Sequence, residues 1–134
     1  MGIEMFVEID DHLATEELLQ VFTDLGVEIF QSEDHGFSGR FPYSEMFFHV
    51  FQEGKSTLGH EVITEECAGK ILWTISTRIK FRYVNANFDQ CGADIKKFVT
   101  GLANGSAANF VLAFQFEKIY AIRDHAGLRF LRDF

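Results

Sequence analysis

The segment that decides the fold runs over residues 71–120 and opens with ILWTISTRIKFRYV (71–84). Its large hydrophobic side chains fall mostly on odd positions and its basic side chains on even ones, the period of two expected of a strand with one buried face. Residues 91–102 then carry apolar side chains at helical spacing. Residues 110–116 form an almost unbroken apolar run, which suits a strand covered on both faces. The segment therefore predicts a strand, a helix and a second strand.

Residues 64–79 also fit a different interpretation. With Thr64 as the N-cap, five residues would line one face of a helix: Cys67, Ala68, Ile71, Leu72 and Ile75. We favour the strand over 71–84, because its alternating pattern is longer and because Trp, Ile, Thr, Phe and Tyr prefer strands.

The rest of the chain consists of short periodic segments separated by turn residues. A first helix is predicted between Thr15 and Gly26, and a second between Asp89 and Gly105. The predicted strands cover residues 4–9, 27–31, 37–41, 45–52, 71–84, 110–122 and 128–131. The order β-α-β-β-β-β-α-β-β predicts a single α+β domain over residues 1–134, with an antiparallel or mixed sheet of six to seven strands and two helices packed on one face.

Composition places the chain among folded proteins. It has 134 residues, 47% of them hydrophobic, and 16 are Phe, which excludes the disordered class. No apolar run approaches the roughly 20 residues of a membrane-spanning helix, and the first residues lack the features of a signal peptide. Cys67 and Cys91 match no zinc or redox motif. We expect two buried free thiols in a cytoplasmic protein that does not bind a membrane.

The many Phe residues indicate either a well-filled core or an aromatic-lined cavity, and composition does not choose between them. His49 lies within the segment FFHVF (47–51). A core histidine bonded to backbone is the favoured interpretation, and a ligand-binding or small enzymatic site at His49 is the alternative. A pocket of roughly 300 Å³ or more that converges on His49 and a second polar group would favour the ligand site.

Charge is distributed unevenly along the chain. Residues 1–66 contain 15 acidic side chains against Arg40 and Lys55, a balance of −13, whereas residues 67–134 contain 5 acidic and 10 basic ones, a balance of +5. A strongly acidic surface repels nucleic acid and attracts basic proteins. The acidic half indicates either solubility or a docking face for a basic partner.

Other candidate sites have simpler explanations. The Asp-His pairs at 11–12, 34–35 and 124–125 would suit a metal, but Asp is also a good turn residue, and we expect no metal or cofactor. The basic positions of 78–82 would form an RNA-binding sheet only if Phe81 and Tyr83 were exposed, so no nucleic-acid partner is expected. With no phosphate-binding loop and no activated nucleophile in the sequence, we expect a protein that is not an enzyme.

The chain as a whole resembles a known class of inhibitors. The residues that prompt this are 110–124 (FVLAFQFEKIYAIRD), 127–131 (GLRFL) and 37–42 (FSGRFP). In style they resemble bacterial immunity proteins, in particular those of contact-dependent growth-inhibition systems. Such proteins are small, acidic, cytosolic, non-enzymatic α+β domains, and each binds the toxic nuclease domain of its own system and blocks the active site. The resemblance implies a cognate basic toxin domain as the partner.

Docking of a toxin would use exposed carboxylates on and around the first helix, in the turn near residue 33, and near residue 65. The predicted partner-binding residues are Asp10, Asp11, Glu16, Glu17, Asp24, Glu33, Asp34, Glu65 and Glu66. Electrostatic attraction would supply association rate and specificity. The sequence does not predict the oligomeric state.

Overall fold

A computed structural model describes residues 3–33, 36–52 and 60–134, with the backbone alone described at 31–33. Asp34 and the side chain of Glu33, both predicted to bind a partner, lie outside this description. The helices are α1 (Thr15–Asp24) and α2 (Phe88–Gly105). The strands are β1 (Glu4–Asp10), β2 (Glu28–Glu33), β3 (Gly36–Arg40), β4 (Phe47–Gln52), β5 (Ile75–Arg82), β6 (Phe110–Phe114), β7 (Lys118–Asp124) and β8 (Gly127–Phe130).

All the described strands join one antiparallel sheet in the order β2-β3-β4-β5-β1-β6-β7-β8. The first strand is central, because β1 pairs with β5 on one side and with β6 on the other. The α+β class, the antiparallel sheet and the two helices are confirmed. The predicted six to seven strands are too few, since the described residues form eight.

The additional strand comes from a tight hairpin that the sequence does not signal. The predicted strand over 110–122 is broken after Phe114, and β7 begins at Lys118. At the turn, Gln115 and Phe116 have φ of 49° and 61°. Such positive values are uncommon outside glycine, and hairpin turns of this kind usually carry Gly or Asn. The Phe116 ring stacks on Phe6 at 3.9 Å between centroids, which fixes the turn against the sheet.

One face of the sheet packs against both helices. Met5, Val7 and Ile9 on alternate positions of β1 join a single buried cluster with the apolar faces of α1 and α2. Phe22 lies at its centre, stacked on Phe48 at 4.3 Å and near Phe98 at 4.9 Å between centroids. These rings fill the interior among the described residues, and burial of each stabilises the fold by roughly 1.5–3 kcal/mol.

The opposite side of the sheet, called the reverse face below, is partly covered by residues 60–74, called the strap. Val62 and Cys67 of the strap pack on Val111 and Ile122. The predicted strand over 71–84 is too long at both ends, because β5 covers only Ile75–Arg82. The helical alternative is also wrong, since residues 65–70 form successive turns rather than a helix.

A buried ion pair holds the strap against the sheet. Glu8 and Arg78 are 0% and 1% exposed, and Arg78 Nε donates to Glu8 Oε2 at 3.0 Å. The same carboxylate accepts hydrogen bonds from the backbone N–H groups of Ile63 and Thr64, both at 2.9 Å. Arg78 also donates to the carbonyl oxygen of Glu61. Each charge is therefore satisfied by polar contacts, as burial of ions requires.

Candidate functional site

A groove of about 340 Å³ runs between α1 and α2. The apolar spacing of α1 turns Leu18, Val21 and Phe22 toward the core, so its polar positions face outward. The groove is lined on the α1 side by Glu16, Glu17, Gln20, Val21, Asp24 and Leu25, and on the α2 side by Lys97, Gly101 and Gly105. The structure thus brings three of the predicted partner-binding carboxylates to one place.

Two glycines of α2 shape the floor of this groove. Gly101 and Gly105 lie one turn apart on α2, opposite Val21 of α1. A Cβ atom at Gly101 would lie 3.3 Å from Val21 Cγ1, and one at Gly105 would lie 3.8 Å from Val21 Cγ2. The glycines therefore let the helices approach closely, and they leave the α2 side of the groove without side chains at these positions.

The carboxylates of the groove lack neutralising partners. Within the described residues, no Lys or Arg forms an ion pair with Glu16, Glu17 or Asp24. Glu17 accepts the N–H of Ala14 at 2.9 Å, and Asp24 accepts the side-chain amide of Gln20 at 2.8 Å. Neither contact removes charge, so this rim of the groove remains negative.

Elsewhere the acidic and basic halves of the chain do pair with each other. Among the described residues, three first-half carboxylates bond second-half cations, and Glu8 with Arg78 is the buried case. The exposed cases are Glu4 with Lys80 at 3.9 Å, Glu66 with Arg132 at 3.1 Å and Glu66 with Lys118 at 3.7 Å. Within the described residues these ion pairs do not include the groove carboxylates, although Lys97 lies on the α2 side of the same groove.

The remaining predicted docking carboxylates do not join this surface. Asp10 is only 2% exposed, and its oxygens accept hydrogen bonds from His12 and Asn109. The prediction of Asp10 as an exposed docking residue is therefore wrong. Glu65 and Glu66 lie on the strap, on the other side of the sheet from α1. Asp11 is exposed at the end of β1, 3.8 Å from His12.

Asp10, Asp11 and His12 lie close enough together to suggest a metal site. The oxygens of Asp10 are already occupied by donors of the chain, and His12 Nδ1 lies 2.9 Å from Asp10 Oδ2. The hydrogen bond to Asp10 raises the pKa of His12, which favours the protonated ring that does not bind a metal. Asp124 likewise holds a turn, accepting the N–H of Ala126 at 2.9 Å.

His49 lies on the reverse face and not in the core. It lines a depression of about 410 Å³ together with Phe30, Phe47, Lys80 and Arg82. The size and the second polar group named for a ligand site are therefore both present. The depression opens on the sheet surface, however, and Phe48 is the one Phe of the buried core among its described lining residues.

An RNA-binding sheet would require exposed side chains at Phe81 and Tyr83, and this condition is not met. Phe81 and Tyr83 are 0% and 5% exposed, because they point toward the helices. The exposed aromatics on the basic side of the sheet are instead Phe30 of β2 and Phe47 of β4, which come near the basic residues of β5 only in the assembled sheet. Sequence reasoning missed them because neither lies in the basic segment itself.

The two cysteines are buried and free, as expected. Burial raises the pKa of the Cys67 thiol to about 11 and also raises that of Cys91, with smaller opposing contributions from hydrogen bonds at Cys91. Both are poor nucleophiles, since the thiolate is the reactive form.

No protein-family model matches this chain, and no curated protein shows significant sequence similarity to it. Neither described helix is both long and apolar enough to cross a membrane.

Proposed function

We propose that this chain is a cytosolic immunity protein that binds the basic nuclease domain of a toxin and masks its active site. The observation that carries the proposal is the groove between α1 and α2, where three carboxylates that form no ion pair among the described residues border an apolar floor. It is a non-enzymatic role, in which binding alone neutralises the partner.

The groove combines the two properties that a fast and durable inhibitor needs. Uncompensated carboxylates at the surface attract a basic partner and raise the association rate. Leu25, which is partly exposed in the groove, offers apolar contact that slows dissociation once the surfaces meet. A basic side chain beside a small apolar one on the toxin would match both features.

The position of Asp24 supports a binding role. It lies in the last turn of α1, where the helix dipole disfavours carboxylates, and that turn contains no basic residue. Glu16 and Glu17 stabilise the first turn, so their presence has a structural explanation as well. Asp24 has no such structural explanation beyond its contact with Gln20. A docking role would account for an acidic residue at this position.

The functional test uses bacteria that express the toxin domain of a candidate cognate system, identified as a secreted protein with a nuclease tail encoded directly upstream of this gene. The wild-type chain should restore growth, and a variant carrying Glu16→Gln, Glu17→Gln and Asp24→Asn should protect poorly. Growth restored equally by the variant would contradict docking through the groove, and absence of any protection by the wild type would contradict the immunity role.

A matched control removes the same charge elsewhere on the surface. Glu45, Asp89 and Glu117 are exposed and lie outside the groove. Their change to Gln, Asn and Gln alters net charge equally, and this variant should protect as the wild type does. Equal loss in both variants would show that net charge, and not the groove, determines protection.

Small-ligand binding is the second candidate function. The depression beside His49 favours it, because Lys80 and Arg82 place cationic groups next to two exposed rings. Ligand pockets combine apolar lining with a few polar groups in this manner. The two functions use different faces of the sheet, so one does not exclude the other.

A further inference from the structure

Two rows of side chains cross the reverse face where β3, β4, β5 and β1 lie side by side. The strand register places Arg40, Phe47, Arg82 and Glu4 in the first row and Ser38, His49, Lys80 and Phe6 in the second. Neighbours within a row have Cβ atoms about 4.5–5.5 Å apart. Aromatic and cationic groups therefore alternate within reach of a single small molecule.

The rings in this region are exposed to an extent that folding does not require. Phe30 and Phe47 are each 48% exposed, and their centroids lie 6.3 Å apart. The guanidinium of Arg40 lies 5.4 Å from the Phe30 centroid. Together they form an open aromatic surface on which a flat ring can stack.

The cations beside these rings are only loosely neutralised. Lys80 lies 3.9 Å from Glu4, and Arg40 lies 3.8 Å from Glu28. Arg82 faces Glu4 in the strand register and forms no ion pair within the described part of the chain. Exposed pairs of this length contribute little, so an incoming anion can replace the carboxylates.

We propose that this depression binds a nucleotide, with the base stacked on Phe47, the tilted ring of Phe30 at the edge of the base, and the phosphate held by Arg82 and Lys80. Bases stack on aromatic side chains whatever their identity, and guanidinium groups bind phosphate through paired donors. The volume of about 410 Å³ accommodates a ligand of this size. The nucleotide has two sources, a free mononucleotide or one unit of a single strand.

This inference rests on the second candidate function, whose ligand class it names, and it does not depend on the groove. Calorimetric titration of the full chain with AMP, adenosine, inorganic phosphate and a short single-stranded oligoadenylate tests it. AMP should bind more tightly than either adenosine or phosphate, because only AMP engages both the rings and the cations. If the oligonucleotide binds more tightly than AMP, the natural ligand is a single strand. If it binds equally or more weakly, the natural ligand is the free nucleotide.

Variants locate the binding. Phe47→Ala should lower the affinity for AMP by about tenfold because stacking is lost. Arg82→Gln should lower it by a similar factor because the charged hydrogen bonds to the phosphate are lost. Glu4→Gln should raise the affinity for AMP by about threefold, because it removes a carboxylate that competes with the phosphate for Lys80. All three side chains are at least partly exposed, so the fold is retained, which circular dichroism verifies.

Two controls leave the depression intact. Phe130→Ala removes a similarly exposed ring (46%) and Lys70→Gln removes an exposed cation of the strap. Both should bind AMP as the wild type does. No saturable AMP binding at millimolar concentration, or equal weakening in the controls, would overturn the proposal. Toxin protection by the groove is measured separately, so its success or failure stays distinguishable from either result.

Discussion

The two faces of the sheet are held to their covering segments by different interactions. The helix-facing side is a periodic apolar surface, with Phe22 stacked between Phe48 and Phe98. The reverse face holds its strap with the buried ion pair of Glu8 and Arg78 and its hydrogen bonds. The first arrangement depends on total area and shape, and the second on a few directional contacts. We therefore expect the two faces to respond differently to substitution.

The largest effect is expected at the ion pair. Glu8→Leu leaves Arg78 buried without its carboxylate and releases the N–H groups of Ile63 and Thr64. The free energy of unfolding should fall by about 3–5 kcal/mol, as for other broken buried pairs. Urea unfolding followed by circular dichroism measures this loss, and hydrogen exchange at the two amides should accelerate.

A double variant separates the ion pair from general damage to the core. Glu8→Leu combined with Arg78→Met removes both charges, and it should be more stable than Glu8→Leu alone because no buried guanidinium is then left without the Glu8 carboxylate. A double variant less stable than the single one would contradict the role assigned to the contact between Glu8 and Arg78.

A smaller effect is expected on the helix-facing side. Leu18 is 1% exposed, and Leu18→Met keeps its volume, so the free energy of unfolding should fall by less than about 1.5 kcal/mol. The same urea experiment applies. A loss as large as that of Glu8→Leu would remove the difference between the two faces.

The smallest effect is expected at Glu66 on the strap. Its hydrogen bond from Arg132 lowers the pKa of the carboxyl, with a further contribution from the N–H of Ile119. A lowered pKa in the folded state adds stability above the unfolded pKa, and this stability is lost as the pH falls through the folded pKa. Glu66→Gln should therefore reduce the decline of melting temperature between neutral and acidic pH. An unchanged decline would show that this pair contributes nothing.

The helix-facing side of the sheet could be predicted from the sequence better than the reverse face. Periodicity predicts α1, α2 and the apolar side of β1, since burial against helices leaves a repeating pattern. It does not reveal the hairpin at Gln115 and Phe116, because neither residue is one that positive φ favours. It also does not show that Glu8 is buried, since its ionic partner lies 70 residues further along the chain.

The candidate site was predictable in part. Glu16, Glu17 and Asp24 fall on the polar side of a predicted amphipathic helix, so their exposure follows from spacing alone. The glycine floor does not, because Gly101 and Gly105 shape a groove only once α2 lies against Val21. The prediction that Asp10 is exposed failed for a local reason, because its carboxylate turns inward and accepts a hydrogen bond from Asn109.

The measurement that tests the central claim most directly is the association rate, at low and high salt, of the basic toxin domain that the proposed function implies. The wild-type rate should fall steeply with salt, by about 10–10³-fold if steering is strong. The variant with Glu16→Gln, Glu17→Gln and Asp24→Asn should associate slowly at low salt and change little. Rates that are independent of salt, or an equal salt dependence in the variant, would contradict docking through the acidic groove.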